Sequence, residues 1–213
     1  YITEDDIHDI YDYIHNIIGN NAVNVSHSNF CKDISMNIEY IDSDKWVDVF
    51  GLLWNNNPEF NKLFSTLIYE YKKLDFKTDV YLPFDAVLRK KGTMLKIDWL
   101  NTVFGTAIEL EDGEEKATDV FSPDGSLIAQ NFSKGILSAL IGEITFALPE
   151  AIAKERRFLK KIDLLDFPGA RSREKFKDDT LKENLPMVLR RGKVAYLFNK
   201  YSRSKMISSV LFC

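Results

Sequence analysis

The chain has 213 residues, 45% apolar and 13% aromatic, which is ample for one well-packed domain with a small helical subdomain attached. Two cysteines, Cys31 and Cys213, are too few for a disulfide framework, and no apolar stretch reaches the length that crosses a bilayer, so a cytoplasmic globular protein is expected. The formal net charge of -4 hides an asymmetry: Lys154 to Lys205 hold 16 Lys or Arg against 7 Asp or Glu, and the remainder holds 12 against 25. The first residue is Tyr1, without a methionine or a signal-peptide pattern, and the last ones, Ser-Ser-Val-Leu-Phe-Cys, read as the inside of a strand. The expectation is a piece of a longer protein.

Residues 1–77 read as a helical subdomain. Thr3 is placed to cap a helix whose first turn is Glu4, Asp5 and Asp6, and Ile7, Ile10, Tyr11, Ile14, Ile17 and Ile18 recur at helical spacing up to Gly19. Asp5, His8, Asp12 and His15 share one face of it, a spacing that metal sites use. Each histidine follows an isoleucine of the apolar stripe, however, and a boundary position accounts for it. Ser43 is placed to cap a second helix through Trp46, Val49, Phe50, Leu53 and Trp54. Asn57-Pro58 opens a third, with Phe60, Leu63, Phe64, Leu67, Ile68 and Tyr71 on one face.

From Asp79 the pattern turns to sheet, and 78–213 reads as an incomplete α/β core. Ala107 to Glu111, Ala117 to Phe121 and Ser126 to Gln130 suggest short antiparallel strands joined at Asp112-Gly113 and Pro123-Asp124-Gly125. Ser133 caps an apolar helix from Lys134 to Gly142, and Ile144 to Leu148 reads as a strand ending before Pro149. A basic connection from Lys154 to Lys161 leads into the strand Ile162 to Leu165.

That last strand runs into Asp-Phe-Pro-Gly-Ala-Arg-Ser-Arg, residues 166–173, the most informative stretch of the chain. An apolar strand ending in Asp-x-x-Gly is what a nucleotide-binding fold sets under a γ-phosphate: the strand delivers a carboxylate to the Mg²⁺ shell and a glycine amide points at the phosphate. Downstream, Leu185, Val188, Leu189, Ala195, Tyr196, Phe198 and Tyr201 predict a helix, and Ile207 to Cys213 the next buried strand. Strand, loop, helix, strand makes a right-handed crossover and a parallel sheet. The predicted class is therefore mixed α/β: a central, partly parallel sheet of P-loop NTPase type, an N-terminal helical subdomain and a β-hairpin region. Asn199-Lys200 imitates the Asn-Lys-x-Asp that reads a guanine base, but Ser202 stands where the Asp belongs and the dipeptide falls inside the predicted helix. We reject it as a base reader.

The run Asp163 to Arg173, followed by Leu189-Arg-Arg-Gly-Lys-Val-Ala-Tyr-Leu-Phe198, resembles the SrfC-like bacterial virulence factor family. The resemblance implies a large P-loop protein of dynamin-like character, with a Gly-rich phosphate loop before Tyr1 and a base-reading segment after Cys213. It implies that Asp166 orients Mg²⁺, that the amide of Gly169 meets the γ-phosphate, and that Arg171 and Arg173 lie in the second switch, where a guanidinium can contact phosphate or a second subunit. Thr118 or Thr106 would supply the threonine of the first switch. No Gly-x-x-x-x-Gly-Lys-Ser/Thr occurs in the chain, and one aspartate with one glycine amide does not hold a triphosphate in water.

Two functions stay open on this evidence. One is the central part of a GTPase or ATPase that uses Mg²⁺ with GTP or ATP in the full-length protein and is inactive as this piece alone, which needs no cofactor of its own. The other is a non-catalytic scaffold whose helical region docks a protein partner or assembles with itself. The basic carboxyl-terminal third leaves peripheral membrane contact open, whereas nucleic acid ranks last because no aromatic-basic surface motif accompanies the charge.

Overall fold

Thr3 starts the first helix through a reciprocal cap. Its Oγ1 accepts from the backbone N–H of Asp6 at 3.3 Å, while Asp6 Oδ2 accepts from the Thr3 N–H at 2.8 Å, so two donors that a helix start leaves unpaired are satisfied together. This computed structural model describes residues 2–13, 29–89, 92–105, 107–110, 113–147, 149–156 and 181–204.

The elements in chain order are α1 (Glu4–Tyr13), α2 (Phe30–Ser35), α3 (Trp46–Phe50), α4 (Pro58–Lys72), α5 (Phe84–Val87), β1 (Leu88–Arg89), β2 (Gly92–Thr93), α6 (Ile97–Val103), β3 (Ala117–Phe121), β4 (Leu127–Ser133), α7 (Lys134–Leu140), α8 (Glu150–Glu155) and α9 (Leu181–Arg203). The class is mixed helix and sheet: among the described residues 59% are helical, and two antiparallel two-stranded sheets form, β1-β2 and β3-β4. No parallel pairing occurs among the described residues. The predicted strands Ile162 to Leu165 and Ile207 to Cys213 lie outside them. Two compact units divide the chain: Tyr1–Pro83 with Ala117–Phe132, and Phe84–Lys116 with Ser133–Cys213.

In the first unit Ile7, Cys31, Ile34, Ile38, Trp46 and Phe50 form the buried core, each large side chain contributing roughly 1.5–3 kcal/mol by leaving water. Ser43 does not cap the second helix as predicted. It is the first residue of a 3-10 turn, Ser43–Lys45, with no side-chain cap bond, and α3 is only five residues long before a second 3-10 turn, Gly51–Trp54. Left-handed Asn55 and Asn56 then reverse the chain. Asn57 caps α4 as the sequence indicates, its Oδ1 accepting from Glu59 N at 3.0 Å and Phe60 N at 3.4 Å with Pro58 at the first helical position.

Beyond α4, Phe76 adopts φ +50°, a conformation costly for an aromatic residue. Tyr71 holds it there: its hydroxyl donates to the carbonyls of Phe76 and Lys77 at 3.2 and 3.0 Å, and the Phe76 ring packs on Trp46 at 5.3 Å. The β3-β4 hairpin completes this unit. It turns at Asp124-Gly125, where Asp124 Oδ1 accepts from Ser126 N and Oγ, and Gly125 supplies φ +84°. Tyr81 bridges to Phe121 on its edge.

The second unit is built around Trp99, Leu100, Met94, Leu137 and Leu185, all buried. Ser133 caps α7, accepting from Ile136 N, as the sequence predicts. Gly135 lets α7 approach α6: a side chain there would run into Thr102 Oγ1 and sit 3.1 Å from the Trp99 carbonyl oxygen. Two predicted strands are absent, since residues 107–110 and 144–147 carry no strand pairing. Helix α6 lies where the sequence suggested sheet.

Candidate functional site

Of the residues assigned to a nucleotide site, Asp166, Gly169, Arg171, Arg173 and Thr106 lie outside the described residues. Thr118 is described, half-buried in β3, and its Oγ1 donates to the neighbouring Asp119 carbonyl at 3.3 Å. The Asp119 carboxylate in turn accepts from the Asn131 backbone N–H at 3.0 Å. Both side chains thus serve the hairpin. Among the described residues no group of three or more His, Cys, Asp or Glu side chains is placed to hold a metal ion. Asn199 and Lys200 sit inside α9, the helical setting on which the base-reader reading was rejected.

What the described residues do build is a buried ionic cluster in the second unit. The β1-β2 hairpin pairs Arg89 with Gly92, whose φ of +103° suits glycine. The Arg89 side chain is 6% exposed and that of Glu114 10%; they meet at 2.7 Å (Nε to Oε1) and 3.0 Å (Nη2 to Oε2), and Asp98 lies 3.8 Å from Nη1. The guanidinium carbon is 5.8 Å from the centre of the Trp99 ring, and the Lys134 ammonium, on the first residue of α7, is 5.7 Å from the same ring. One hydrogen bond from Nη2 and a close charge contact at Nε engage the fork by which arginine grips phosphate. Arg89 is therefore occupied by Glu114 and serves the fold.

A second polar contact joins α7 to α9. Lys193 Nζ donates to the carbonyl oxygens of Ser138 at 2.6 Å and Ala139 at 2.9 Å, in the last turn of α7, where a helix leaves acceptors unpaired. Burial lowers the Lys193 pKa to about 8. Farther along α9, the Tyr201 hydroxyl donates to Glu143 at 2.6 Å. Sequence reasoning quoted Lys193 within its Leu189 to Phe198 block but gave it no role. The signal was present: Leu185, Leu189, Lys193 and Leu197 lie at successive i+4 positions, a single lysine in an apolar row.

The first unit carries a shallow groove of about 170 Å³ lined by Ser43, Asp44, Val47, Phe64, Ile68 and Tyr69. Asp44 pairs with Lys72 at 3.5 Å and Lys73 sits 4.5 Å above the Tyr69 ring. The charge follows the same division: the first unit holds 6 Lys or Arg against 16 Asp or Glu, the second 22 against 16. Any attraction for anions therefore belongs to the second unit. No helix among the described residues is long and apolar enough to cross a membrane.

Comparison with known proteins finds no match among curated proteins or solved structures. The model of one family, described as "Putative bacterial virulence factor", matches residues 1–213. With the whole of its length so matched, the chain belongs to that bacterial virulence factor family.

Proposed function

We propose that the chain supplies the switch-type segment of a P-loop, GTPase-like protein, with Asp166 and Gly169 facing the γ-phosphate end of a nucleotide and Arg171 and Arg173 following in the second switch. The observation that supports this reading is α9. A long helix runs from Leu181, eleven residues beyond Ala170 in the chain, so a helix follows the Asp-Phe-Pro-Gly segment in sequence, the order this reading calls for. In this reading the carboxylate of Asp166 holds a water or hydroxyl near the phosphates, and Pro168 limits the turns that the loop samples. Mg²⁺, when bound, neutralises phosphate charge. The phosphate cradle comes from a Gly-Lys-Ser/Thr loop elsewhere in the polypeptide, and the predicted parallel sheet carries the loop.

Calorimetry with GTP and ATP tests this. The 213-residue chain is expected to show no binding in the micromolar range. The full-length protein binds, and Asp166→Ala weakens that binding by about tenfold or more. Equal affinity of wild type and Asp166→Ala removes Asp166 from the site, and micromolar binding by the 213-residue chain removes the requirement for a separate phosphate loop.

The second reading, a protein-docking scaffold, is favoured by one observation in the first unit: Tyr40, Tyr69 and Tyr81 are exposed, and such tyrosines are typical anchors at protein interfaces. A full-length polypeptide without an intact Gly-Lys-Ser/Thr loop decides for it.

A further inference from the structure

We propose that the outer edge of β4 docks an extended, basic segment of a partner protein, which adds to the β3-β4 hairpin as a further strand. The inference goes beyond both readings above, neither of which gives β4 a role.

The hydrogen bonds of the hairpin set which backbone groups face outward. The Ser122 N–H donates to the Ser126 carbonyl at 2.8 Å, so these two residues face one another across the ladder. Alternation along each strand then turns the backbone of Leu127 and Ala129 on β4, and of Phe121 on β3, away from it. On the β3 side Tyr81 follows this pattern: it exchanges two bonds with Phe121, at 2.8 and 2.9 Å, and closes that edge. Among the described residues no strand lies beyond β4. Leu127 is 50% exposed, and Gln130 and Asn131 are exposed as well. Leu127 and Ala129 thus each offer one N–H and one C=O to an incoming strand. Asn131, left-handed at φ +51° and with its N–H given to Asp119, ends the regular edge, so the site suits a short segment of about five residues.

Edge strands are commonly protected from such pairing by a lysine or a proline, and residues 126–133 contain neither, nor any other charged residue. The charge around the edge selects the partner. Residues 78–83 and 117–133, which form the hairpin and its Tyr81 bridge, include Asp79, Asp119 and Asp124 and no Lys or Arg. The whole first unit holds 6 Lys or Arg against 16 Asp or Glu. A segment with Lys or Arg at alternate positions meets an attractive field there, whereas a second copy of β4 brings the same carboxylates. The half-exposed Leu127 adds an apolar contact for one β-branched side chain of the incoming strand.

The probe is a blocked peptide of alternating lysine and valine, about seven residues long, titrated into the 213-residue chain and followed by NMR and amide hydrogen exchange. At saturation the protection of the Leu127 and Ala129 amides should rise by about tenfold or more, while the amides that face β3 stay as they were. A glutamate-valine peptide should bind about tenfold less tightly at low salt, and the difference should shrink as salt is added. Ala129→Pro removes one outward N–H at a position where an edge strand accepts proline, and Leu127→Lys places a like charge on the edge. Each should weaken the lysine peptide by about tenfold or more. If Ala129→Pro does not fold, Leu127→Lys and the protection pattern of the wild type still decide. Equal binding of the two peptides overturns the proposal, as does binding that leaves Leu127 and Ala129 unprotected. Protection of these two amides that grows with protein concentration in the absence of peptide overturns it too, because a second copy then takes the edge.

Discussion

Arg89 and Glu114 stand 25 positions apart in the chain and meet side-on, with both guanidinium contacts at or under 3.0 Å and both side chains at or under 10% exposure. A buried pair of this kind gains little over an apolar pair of equal volume, yet loses heavily when only one partner is removed. Glu114→Ala should therefore lower the unfolding free energy by about 3–5 kcal/mol in a urea titration. The double variant Arg89→Leu/Glu114→Leu should recover most of it. Equal losses in the single and double variants would show that packing, and not the stranded charge, sets the cost.

Gly135 gives a second test. An alanine in an ordinary helical position gains about 0.5–1 kcal/mol over glycine, but here the added methyl meets Thr102 Oγ1 and the Trp99 carbonyl, and overpacking costs about 1–3 kcal/mol. Gly135→Ala should be destabilising in thermal melts, and Thr102→Ala in the same chain should relieve part of the loss. A Gly135→Ala protein more stable than wild type would mean that α6 and α7 do not approach this closely.

Asn57 is a test of local capping alone. Removing its side-chain acceptor in Asn57→Ala should cost about 1 kcal/mol, whereas Asn57→Asp or Asn57→Ser should stay within a few tenths of wild type. Chemical denaturation of the three variants checks the order.

Tyr71 introduces an alkaline limit. Burial raises its phenol above the ordinary range, and the carboxylates of Asp6 and Asp79 add to that. The folded form therefore keeps its proton longer than the unfolded one. The associated stability is complete below about pH 10 and is lost as pH rises from there through the folded value. Tyr71→Phe should cost about 1 kcal/mol at neutral pH, through the hydrogen bonds to Phe76 and Lys77, and should flatten the stability profile above pH 10. A profile that falls as steeply in the variant assigns the alkaline loss to another group.

Features that depend on a few neighbouring residues were legible in the sequence. Thr3, Asn57-Pro58 and Ser133 mark the helix starts they were predicted to mark, because a cap is a contact over two or three positions. The turn at Pro123-Asp124-Gly125 was legible for the same reason. Misreadings arose where the local pattern was ambiguous. The turn to sheet expected from Asp79 onward does not hold at Ile97–Val103, where Trp99 and Leu100 are buried on a helix. Ile144 to Leu148 alternates like a strand, but alternation supplies no partner, and the described part has none. Arg89 with Glu114, and Lys193 with Ser138, could not be foreseen, since their meeting is set by tertiary packing over 25 and 55 positions. The nucleotide-site reading rests on residues 166–173, which lie outside the described residues, and on the helix that follows them.

The β3-β4 hairpin belongs to the first unit although the chain reaches it only after leaving for the second at Phe84. Neither unit is therefore a contiguous stretch, and simple truncation severs partners. Residues 1–83 alone leave Tyr81 without the Phe121 bridge, and residues 84–213 alone carry the hairpin with its buried Val120 and Phe132 as an orphan insert. Anyone dissecting this molecule should join 1–83 to 117–132 through a short linker, and excise the hairpin from the second unit by rejoining Lys116 to Ser133. The Lys134 N–H already donates to the Lys116 carbonyl at 2.9 Å, so the second unit holds the two ends of that splice side by side.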